Sequence, residues 1–456
     1  MNTTLLAFFV YWGIWIVVPF LVDGLSALIL FGGVVWARLR GRFQPYSGAL
    51  DFYPTLSVII PVLNGEHSLA ACLQSIRAQT YPAERLEVVV VDNGSSDRTF
   101  EVFNSVQQEA FGGQLQWVKT QYRGKPWALN AGIHLTSGHY MVNIDADVVL
   151  APDALSQMVA AFEADPALSA ATGSIEVLPA PEGAGALAML IAECEFQEYL
   201  SAFRMGRQYQ SLTHSLFTLA GAFSAFRRET LLATFLYDKD TVSEDTKLTL
   251  DIYEHIHNAK IECVSQAVAY VSPTPTLAAL YAQRVRWQRG LLEVAAIHPR
   301  QMSPNIFKVH GVALTRLLTV DHTLVFPRLI WTFLFPAMTA FGYPLGLVVS
   351  ASLFMYVFYM AIAAVMALSI YVVSAPSERT RLRANWWITV VMPAYRFLIF
   401  VFRLAGSLTA LAEPAEWRAV DPVSATRQAS RDLVSRVEQT WTDFRGRVKQ
   451  GMESAP

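Results

Sequence analysis

Two carboxylates separated by a single residue are the first feature of this chain that could do chemistry. Asp145 and Asp147 directly follow the apolar run Tyr140–Ile144. If that run is a strand that ends there, the carboxylates converge at its tip, where they can hold a divalent cation and so neutralise a diphosphate. Such a pair is a weak signal by itself, but its position after a buried strand favours a Mg²⁺ or Mn²⁺ site.

A second acidic cluster lies at Ser243-Glu244-Asp245. One of its carboxylates can act as a general base that removes a proton from a hydroxyl group. The same residues also suit the start of a helix, with Ser243 as the N-cap and the acids in the first turn, where they interact favourably with the helix dipole. Taken alone, the cluster favours the helix start, and the general base is the alternative.

A basic and aromatic cluster occupies Gln283–Gly290, with the sequence QRVRWQRG. Arginine pairs bidentately with phosphate oxygens, and Trp287 offers a flat apolar face on which a ring can stack. The alternative is a basic helix that contacts anionic headgroups at a membrane surface.

Polar residues that form turns also end two other apolar runs. Pro61 and Asn64 lie at the end of the run that starts at Leu56, and Asp92 follows Val88–Val91. A carboxylate at a strand tip can accept hydrogen bonds from a nucleotide base or a ribose. The sequence Asp-Asn-Gly-Ser that begins at Asp92 is, by itself, usually only a turn.

The segments that must position these clusters alternate between strand and helix patterns. The short β-branched runs are typical of strands buried on both faces of a parallel sheet. Helical patterns lie between them at Ser68–Gln79 and Thr99–Ala110. This alternation predicts an α/β domain with a mostly parallel, doubly wound sheet. Ligands of such sheets bind at the carboxyl ends of the strands, which is where the polar clusters fall.

The composition indicates that the chain is not wholly soluble. Of its 456 residues, 53% are hydrophobic and only 16% are charged, and the formal net charge is −2. A net charge so close to zero gives no field that attracts nucleic acid, so no nucleic-acid partner is expected. The three cysteines, Cys72, Cys194 and Cys263, form no C-x-x-C pair. Any metal is therefore expected to have oxygen ligands.

The first apolar block, residues 5–36, contains Asp23 as its one ionisable side chain. A straight helix of that length would be about 48 Å long, against a hydrocarbon core of roughly 30 Å, so an overlong or tilted helix and a hairpin turning near Gly24 both remain open. Three arginines follow, from Arg38 to Arg42, which predicts a cytoplasmic position for the chain after the block. A cleaved signal peptide is disfavoured, because the block is too long and no basic residue precedes it.

The second apolar block, residues 329–373, has no charged residue and is long enough for two membrane crossings with a turn near Gly342. The following segment, Pro376–Arg383, is rich in arginine and is expected to be a cytoplasmic loop. Residues 386–411 are apolar again but include two arginines on one helix face. That segment either crosses the membrane or lies in its interface, and both remain open.

These boundaries predict a multi-pass protein of the cell membrane with four parts. Residues 1–40 form a transmembrane anchor, 50–300 a cytoplasmic α/β domain, 305–412 interfacial and transmembrane helices, and 413–456 a cytoplasmic amphipathic tail. The tail is expected to dock as a helix on the protein or membrane surface, with a partner-binding coiled coil as the alternative. Its apolar residues at heptad-like spacing are Val434, Val437, Trp441, Phe444 and Val448.

The order and spacing of the polar clusters resemble those of the family 2 glycosyltransferases. The resemblance is strongest to the processive synthases of cellulose, hyaluronan, chitin oligosaccharides and poly-N-acetylglucosamine, and it covers roughly residues 55–300. The matching segments are Asp92, Asp145-Ala146-Asp147, Glu244-Asp245, Gln283–Trp287, the sequence GKPWALN at Gly124–Asn130, and the small-residue stretch Leu219–Arg228.

The resemblance implies a GT-A fold for nucleotide-diphospho-sugar transfer and a role for each motif. Asp92 would contact the nucleotide base, and Asp145 the ribose or diphosphate. Asp147 would bind the metal, with Asp145 beside it. Asp245 would be the catalytic base, supported by Glu244. The other substrate-binding residues would be Pro61, Asn64, Lys125 and Asn130, with Gln283, Arg286 and Trp287 at the acceptor end.

The implied reaction is a single inverting displacement assisted by Mn²⁺ or Mg²⁺. The partners would be a nucleotide-sugar donor carrying a UDP-linked hexose or N-acetylhexosamine, a growing glycan acceptor and the lipid bilayer, with an accessory export or synthase subunit as a further candidate. One alternative is a single transfer to a lipid carrier or short glycan, and a second is a non-catalytic membrane protein that binds glycan or nucleotide. Two features depart from the family pattern: Ser243 replaces the usual threonine, and no clear gating-loop motif is present.

Overall fold

The computed structural model describes residues 20–41, 50, 52–109, 111–239, 241–299, 311–312 and 337–412. Residues 5–19 of the first apolar block, Arg42 and the predicted tail helix with its residues from Val434 to Val448 lie outside these ranges. Within them the chain forms one eight-stranded sheet flanked by helices. The predicted α/β architecture is therefore confirmed.

The sheet has the strand order β3-β2-β1-β4-β7-β6-β8-β5. Neighbours within β3-β2-β1-β4 run parallel, as expected. The other half is mixed, because β7 is antiparallel to both β4 and β6, and β5 is antiparallel to β8, whereas β6 and β8 are parallel. The strands are β1 Leu56–Val62, β2 Leu86–Asp92, β3 Gln114–Lys119, β4 Tyr140–Ile144, β5 Val149–Leu150, β6 Leu168–Val177, β7 Phe223–Arg227 and β8 Lys260–Val271.

The helices account for most of the remaining described residues. Two π-helical stretches, Phe20–Gly24 and Leu200–Gly206, lead into α1 and join α6 to α7. The helices are α1 Leu25–Leu39, α2 Leu69–Arg77, α3 Thr99–Gln108, α4 Lys125–Leu135, α5 Ala154–Ala164, α6 Ala186–Tyr199, α7 Arg207–Leu212, α8 Arg228–Ala233, α9 Glu244–His255, α10 Leu277–Ile297, α11 Leu345–Val373, α12 Pro376–Ala384 and α13 Ile388–Ala412.

The central strands are buried on both faces because their apolar residues alternate between two cores. In β2, Val88 and Val90 pack into the core covered by α2, α3, α5 and α6. Val89 and Val91 point the other way, into the core covered by α4, α8 and α9. A continuous run of valines is therefore what a strand with helices on both sides requires.

Helix α11 and residues Ile388–Ala410 of α13 are long and apolar enough to cross a membrane. The shorter apolar helix α1 lies against α11, where the Tyr359 hydroxyl donates to Asp23 Oδ2 at 2.7 Å. Val34 near the end of α1 belongs to the same core as Ile370 near the end of α11. The two helices therefore run in the same direction. The backbone is helical at Gly24, so the chain does not reverse there.

The expectation of a loop over Pro376–Arg383 is wrong, because this segment is helix α12. Pro376 occupies the first helical position, where its missing N–H leaves nothing unsatisfied. Glu378 accepts a hydrogen bond from the Ala375 N–H at 2.9 Å, as in a capping box. Arg379 donates to two carbonyls at the end of α11. Local capping therefore outweighs the polar composition that suggested a loop.

A close crossing of α13 and α10 gives a test of the fold. A Cβ at Gly406 would lie 2.8 Å from both Gln288 Cβ and the Val285 carbonyl oxygen of α10. Gly406→Ala should therefore force the helices apart and lower the unfolding temperature in detergent by several degrees. Gly346→Ala in α11 is the matched control, since a Cβ there meets nothing within 4 Å. Equal unfolding temperatures for the two variants would contradict the crossing.

Candidate active site

Gly221 lies just before β7, and in space the end of β4 and the start of α9 both contact it. Several charged side chains converge on this glycine. Lys125 Nζ is 2.6 Å from Asp145 Oδ1 and 3.4 Å from Glu244 Oε1, and it donates to the Gly221 carbonyl at 3.1 Å. Asp245 Oδ2 accepts from the Gly221 N–H at 3.0 Å. Residues separated by more than a hundred positions in the sequence are thus brought together around one glycine.

The Ser243-Glu244-Asp245 cluster begins helix α9, as expected if these residues form a helix start. The Ser243 side chain makes no capping hydrogen bond, however. A Cβ at Gly290 of α10 would lie 2.0 Å from Ser243 Oγ, so α10 packs directly against this helix start. The acids are in the first turn and also face the Gly221 cluster, so the two interpretations are compatible.

Lys125 carries the positive charge that the acids share. Burial alone would lower the pKa of its ammonium group, but the carboxylates of Asp145 and Glu244 outweigh burial and hold the pKa above its usual range. Burial raises the pKa of Glu244, and the ammonium of Lys125 opposes that rise. The charged form of Lys125 is therefore a structural element of the site.

Asp147 is the carboxylate of this group that best fits a divalent cation. Burial, and then the charge of Asp145, raise the pKa of Asp147 above its usual range, with Lys125 and Arg286 opposing the rise. Within the described ranges no three His, Cys, Asp or Glu side chains are grouped to hold a metal by themselves. Two carboxylates completed by phosphate oxygens are nevertheless a normal set for Mg²⁺ or Mn²⁺. Because Lys125 already neutralises Asp145, Asp147 is the stronger ligand candidate.

The predicted base-binding region is built from two interlocked loops. Asp92 Oδ1 accepts from the N–H groups of Gly94 and Ser95 at 3.2 and 2.8 Å, so the turn interpretation holds for this oxygen. The other carboxylate oxygen lies 4.0 Å from Lys119 Nζ. Asn64 joins the loops, since its side chain accepts from the Ser96 N–H at 2.9 Å. Asp92 is thus buried and held in one orientation, and its second oxygen lies near the ammonium group of Lys119.

Two other predicted binding residues, Pro61 and Asn130, make their contacts with other parts of the protein. Pro61 is buried inside β1, where it pairs with Val91 of β2. Asn130 of α4 binds both backbone groups of Tyr237, donating to its carbonyl at 2.8 Å and accepting from its N–H at 3.0 Å. Both residues therefore support the elements around the site.

The predicted acceptor residues lie along α10. Arg286 is exposed and lies close enough to Asp147 to oppose the rise in its pKa. One face of the half-buried Trp287 ring is covered by the guanidinium of Arg284 at 4.5 Å, which leaves less of the indole for a sugar. The Gln283 Oε1 atom is buried with no hydrogen-bond partner in the described part of the chain.

Sequence reasoning gave no role to Arg284, although it lies inside the motif. This side chain is fully buried and pairs with Glu198 of α6 at 2.6 Å. The Tyr395 hydroxyl of α13 donates to the same Glu198 carboxylate at 2.7 Å. The helix that carries Arg286 and Trp287 is therefore anchored between the α/β domain and a candidate membrane helix.

Asn143 and Tyr237 were also missed, and Gly221 was included only as part of the stretch Leu219–Arg228. Asn143 donates to the Gly221 carbonyl at 2.9 Å and accepts from the Tyr237 hydroxyl at 3.3 Å. A polar residue in the apolar run Tyr140–Ile144 was the available signal, because a buried amide requires partners. No local pattern identifies those partners.

The role of Lys125 in charge balance predicts a specific pattern of stability. Lys125→Met should destabilise the protein by roughly 1–2 kcal/mol, because it leaves two partly buried carboxylates unpaired. Adding Glu244→Gln should recover part of the loss. Thermal unfolding measures both, with Lys119→Met as the exposed lysine control. If the Lys119 and Lys125 variants unfold at the same temperature, the ion pairs have no structural role.

Residues 57–235 match the sequence profile of Glycosyl transferase family 2. The chain is 27% identical over 240 residues to the poly-beta-1,6-N-acetyl-D-glucosamine synthase of Staphylococcus epidermidis, covering 52% of this chain and 55% of that protein. It is 27% identical over 246 residues to the enzyme of the same name from Staphylococcus aureus, covering 54% and 56%. The chain thus matches these curated relatives over about half of their length.

A solved structure supports the same assignment at the level of fold. The mannosyltransferase PcManGT from Pyrobaculum calidifontis, in complex with GDP-Man and Mn²⁺, superposes with a TM-score of 0.51 at 19% identity, covering 85% of this chain and 98% of that one. The predicted GT-A fold is confirmed. Residues 57–235 of this chain are a family 2 glycosyltransferase domain.

Proposed function

We propose that this chain is a membrane-bound, inverting glycosyltransferase that moves a sugar from a nucleotide sugar to a growing polysaccharide. The observation that carries the proposal is the convergence of Lys125, Asp145, Glu244 and Asp245 on Gly221. The curated relatives are synthases of poly-beta-1,6-N-acetyl-D-glucosamine. UDP-N-acetylglucosamine is therefore the first donor to test.

Asp245 is the proposed catalytic base. The Gly221 N–H holds one of its oxygens at 3.0 Å, which orients the carboxylate at the edge of the site. The carboxylate takes the proton from the acceptor hydroxyl as that oxygen bonds to the anomeric carbon. The bond from the anomeric carbon to the phosphate oxygen breaks, and its electron pair leaves with the diphosphate. Glu244 supports the base indirectly, because it shares the Lys125 ammonium with Asp145.

The donor occupies the ends of β1, β2 and β4. Asp92 faces the nucleotide base, in a loop that Asn64 holds in place, and Asp145 faces the ribose or diphosphate. Lys125 lies 2.6 Å from Asp145 and contributes positive charge beside the phosphates. Pro61 and Asn130 form the inner wall of this region.

Asp147, with Asp145 beside it, would hold Mn²⁺ or Mg²⁺. When bound, such an ion supplies positive charge that stabilises the leaving diphosphate. The desolvation of Asp147 beside Asp145 supports this assignment, because a cation would offset both the lost hydration and the repulsion between the two carboxylates. Arg286 approaches Asp147 from α10 and adds to the same positive field.

The acceptor approaches along α10. Gln283, Arg286 and Trp287 line its path, and the exposed part of the Trp287 ring is the stacking surface. Because α10 contacts α13 at Gly406, the growing glycan would lie next to the candidate membrane helices.

The catalytic domain is proposed to lie on the cytoplasmic side of the cell membrane. Arg38 at the end of α1 and the three arginines of α12 flank apolar helices that run in the same direction. The basic ends of both helices therefore lie on the same side, which the positive-inside rule assigns to the cytoplasm.

A donor panel tests the proposed function. The full chain in nanodiscs should release nucleoside diphosphate from UDP-N-acetylglucosamine in the presence of Mn²⁺. Chelation should stop turnover, and added Mn²⁺ should restore it. Sizing the product distinguishes a polysaccharide from a single transfer to a lipid carrier or short glycan. Failure to turn over any nucleotide sugar would contradict the enzyme assignment.

Replacement of the proposed base separates chemistry from binding. Asp245→Asn should lower kcat by about 10²–10⁴-fold, because the amide cannot accept the proton. UDP affinity, measured by calorimetry, should remain near that of the parent protein. Glu229→Gln on the surface of α8 is the control and should keep full activity. Loss of UDP binding in the Asp245 variant would reject its role as a base.

A further inference from the structure

Asn143 is a polar residue in a strand that is otherwise built for burial. All five residues of β4 are buried, and Asn143 is 5% exposed. A buried amide is stable only when its donor and acceptor are both satisfied. Both partners of Asn143 lie outside the sheet: it donates to the Gly221 carbonyl at 2.9 Å and accepts from the Tyr237 hydroxyl at 3.3 Å.

Tyr237 is itself held in place from two sides. The Asn130 amide binds both its N–H and its carbonyl. The two preceding residues, Phe235 and Leu236, have φ values of 60° and 70°, an unfavourable region for large side chains. Such backbone persists only where surrounding contacts enforce it. Burial, followed by the charges of Glu244 and Asp245, raises the pKa of Tyr237 well above its usual value, so the phenol remains a donor.

Gly221 connects this pair to the proposed catalytic groups. Its carbonyl accepts from both Asn143 and Lys125, and its N–H donates to Asp245. A Cβ at this position would lie 3.0 Å from Asp245 Oδ2 and 3.2 Å from Lys125 Nζ. The carbonyl and the N–H of Gly221 thus set the distance between Asp245, the proposed base, and the ammonium group of Lys125.

We propose that Asn143 and Tyr237 are positioning residues for the transfer reaction. The Tyr237 hydroxyl fixes the Asn143 amide, the amide fixes the Gly221 carbonyl, and Gly221 aligns Lys125 with Asp245. This inference rests on the proposed function. Neither side chain forms a hydrogen bond with Asp145 in the described part of the chain, so nucleotide binding should depend on them much less than turnover does.

A double-mutant cycle tests the relay. Tyr237→Phe removes the hydroxyl and keeps the ring, and Asn143→Leu replaces the amide by an apolar group of similar size. Each should lower kcat by about tenfold, the effect of one lost hydrogen bond, with the KM for the donor changed less than about twofold. If Tyr237 acts through Asn143, the double variant should be no slower than Asn143→Leu alone.

Tyr253→Phe is the matched control. Tyr253 lies on α9 and is largely removed from water, and its hydroxyl has no hydrogen-bond partner in the described part of the chain. This variant should keep the parent kcat. Thermal unfolding and UDP affinity, measured on each variant, identify any general loss of structure.

The outcomes distinguish the relay from the function on which it rests. Single losses that multiply in the double variant would overturn the relay and leave the proposed function intact. A kcat for Tyr237→Phe equal to that of the parent protein would also overturn the relay. If Asn143→Leu does not fold, the Tyr237→Phe variant alone tests the relay. A parent protein that turns over no nucleotide sugar would overturn both.

Discussion

Charge balance around Gly221 is the constraint on which this site depends. Four carboxylates lie close together at the carboxyl end of a buried strand, where repulsion is weakly screened. Lys125 pairs with two of them, and a backbone N–H satisfies a third. The fourth, Asp147, has its pKa raised by burial and by Asp145. A cluster with this arrangement favours further positive charge, which the divalent cation proposed to accompany the diphosphate would bring.

The same principle joins the α/β domain to the apolar helices. Arg284 of α10 pairs with Glu198, which also accepts from the Tyr395 hydroxyl of α13. Arg204 of the π-helical stretch pairs with Glu378 of α12. Arg381 of α12 pairs with Glu193 of α6 at 2.8 Å. A charged side chain that is removed from water is destabilising unless it has a partner. These pairs therefore specify one docking geometry. The basic residues of α12 are therefore partly engaged with protein instead of with lipid headgroups.

The sequence predicted those parts of the fold that depend on local pattern. Valine-rich β2 is recognisable because a strand buried on both faces requires a continuous apolar run. The polar residues after β4 are recognisable because they mark the point where such a run ends. The start of α9 was recognisable from Ser243 and its acids. The helical state of α12 was missed because charge was weighed above capping. The contacts of Gly221 could not be predicted, since they join residues from β4, α4 and α9 whose approach depends on the whole sheet. The membrane orientation and the individual site roles remain predictions.

The contact between α10 and α13 has a practical consequence for dividing the protein. Buried residues of α6, α10, α11 and α13 share one apolar cluster, which includes Ile191, Leu280 and Met392. A shortened chain that ended before α11 would expose the soluble half of that cluster to water. It would also deprive Glu198 of the Tyr395 hydroxyl. The transferase domain and its apolar helices thus behave as a single unit for production and handling, although the family match ends within the soluble part.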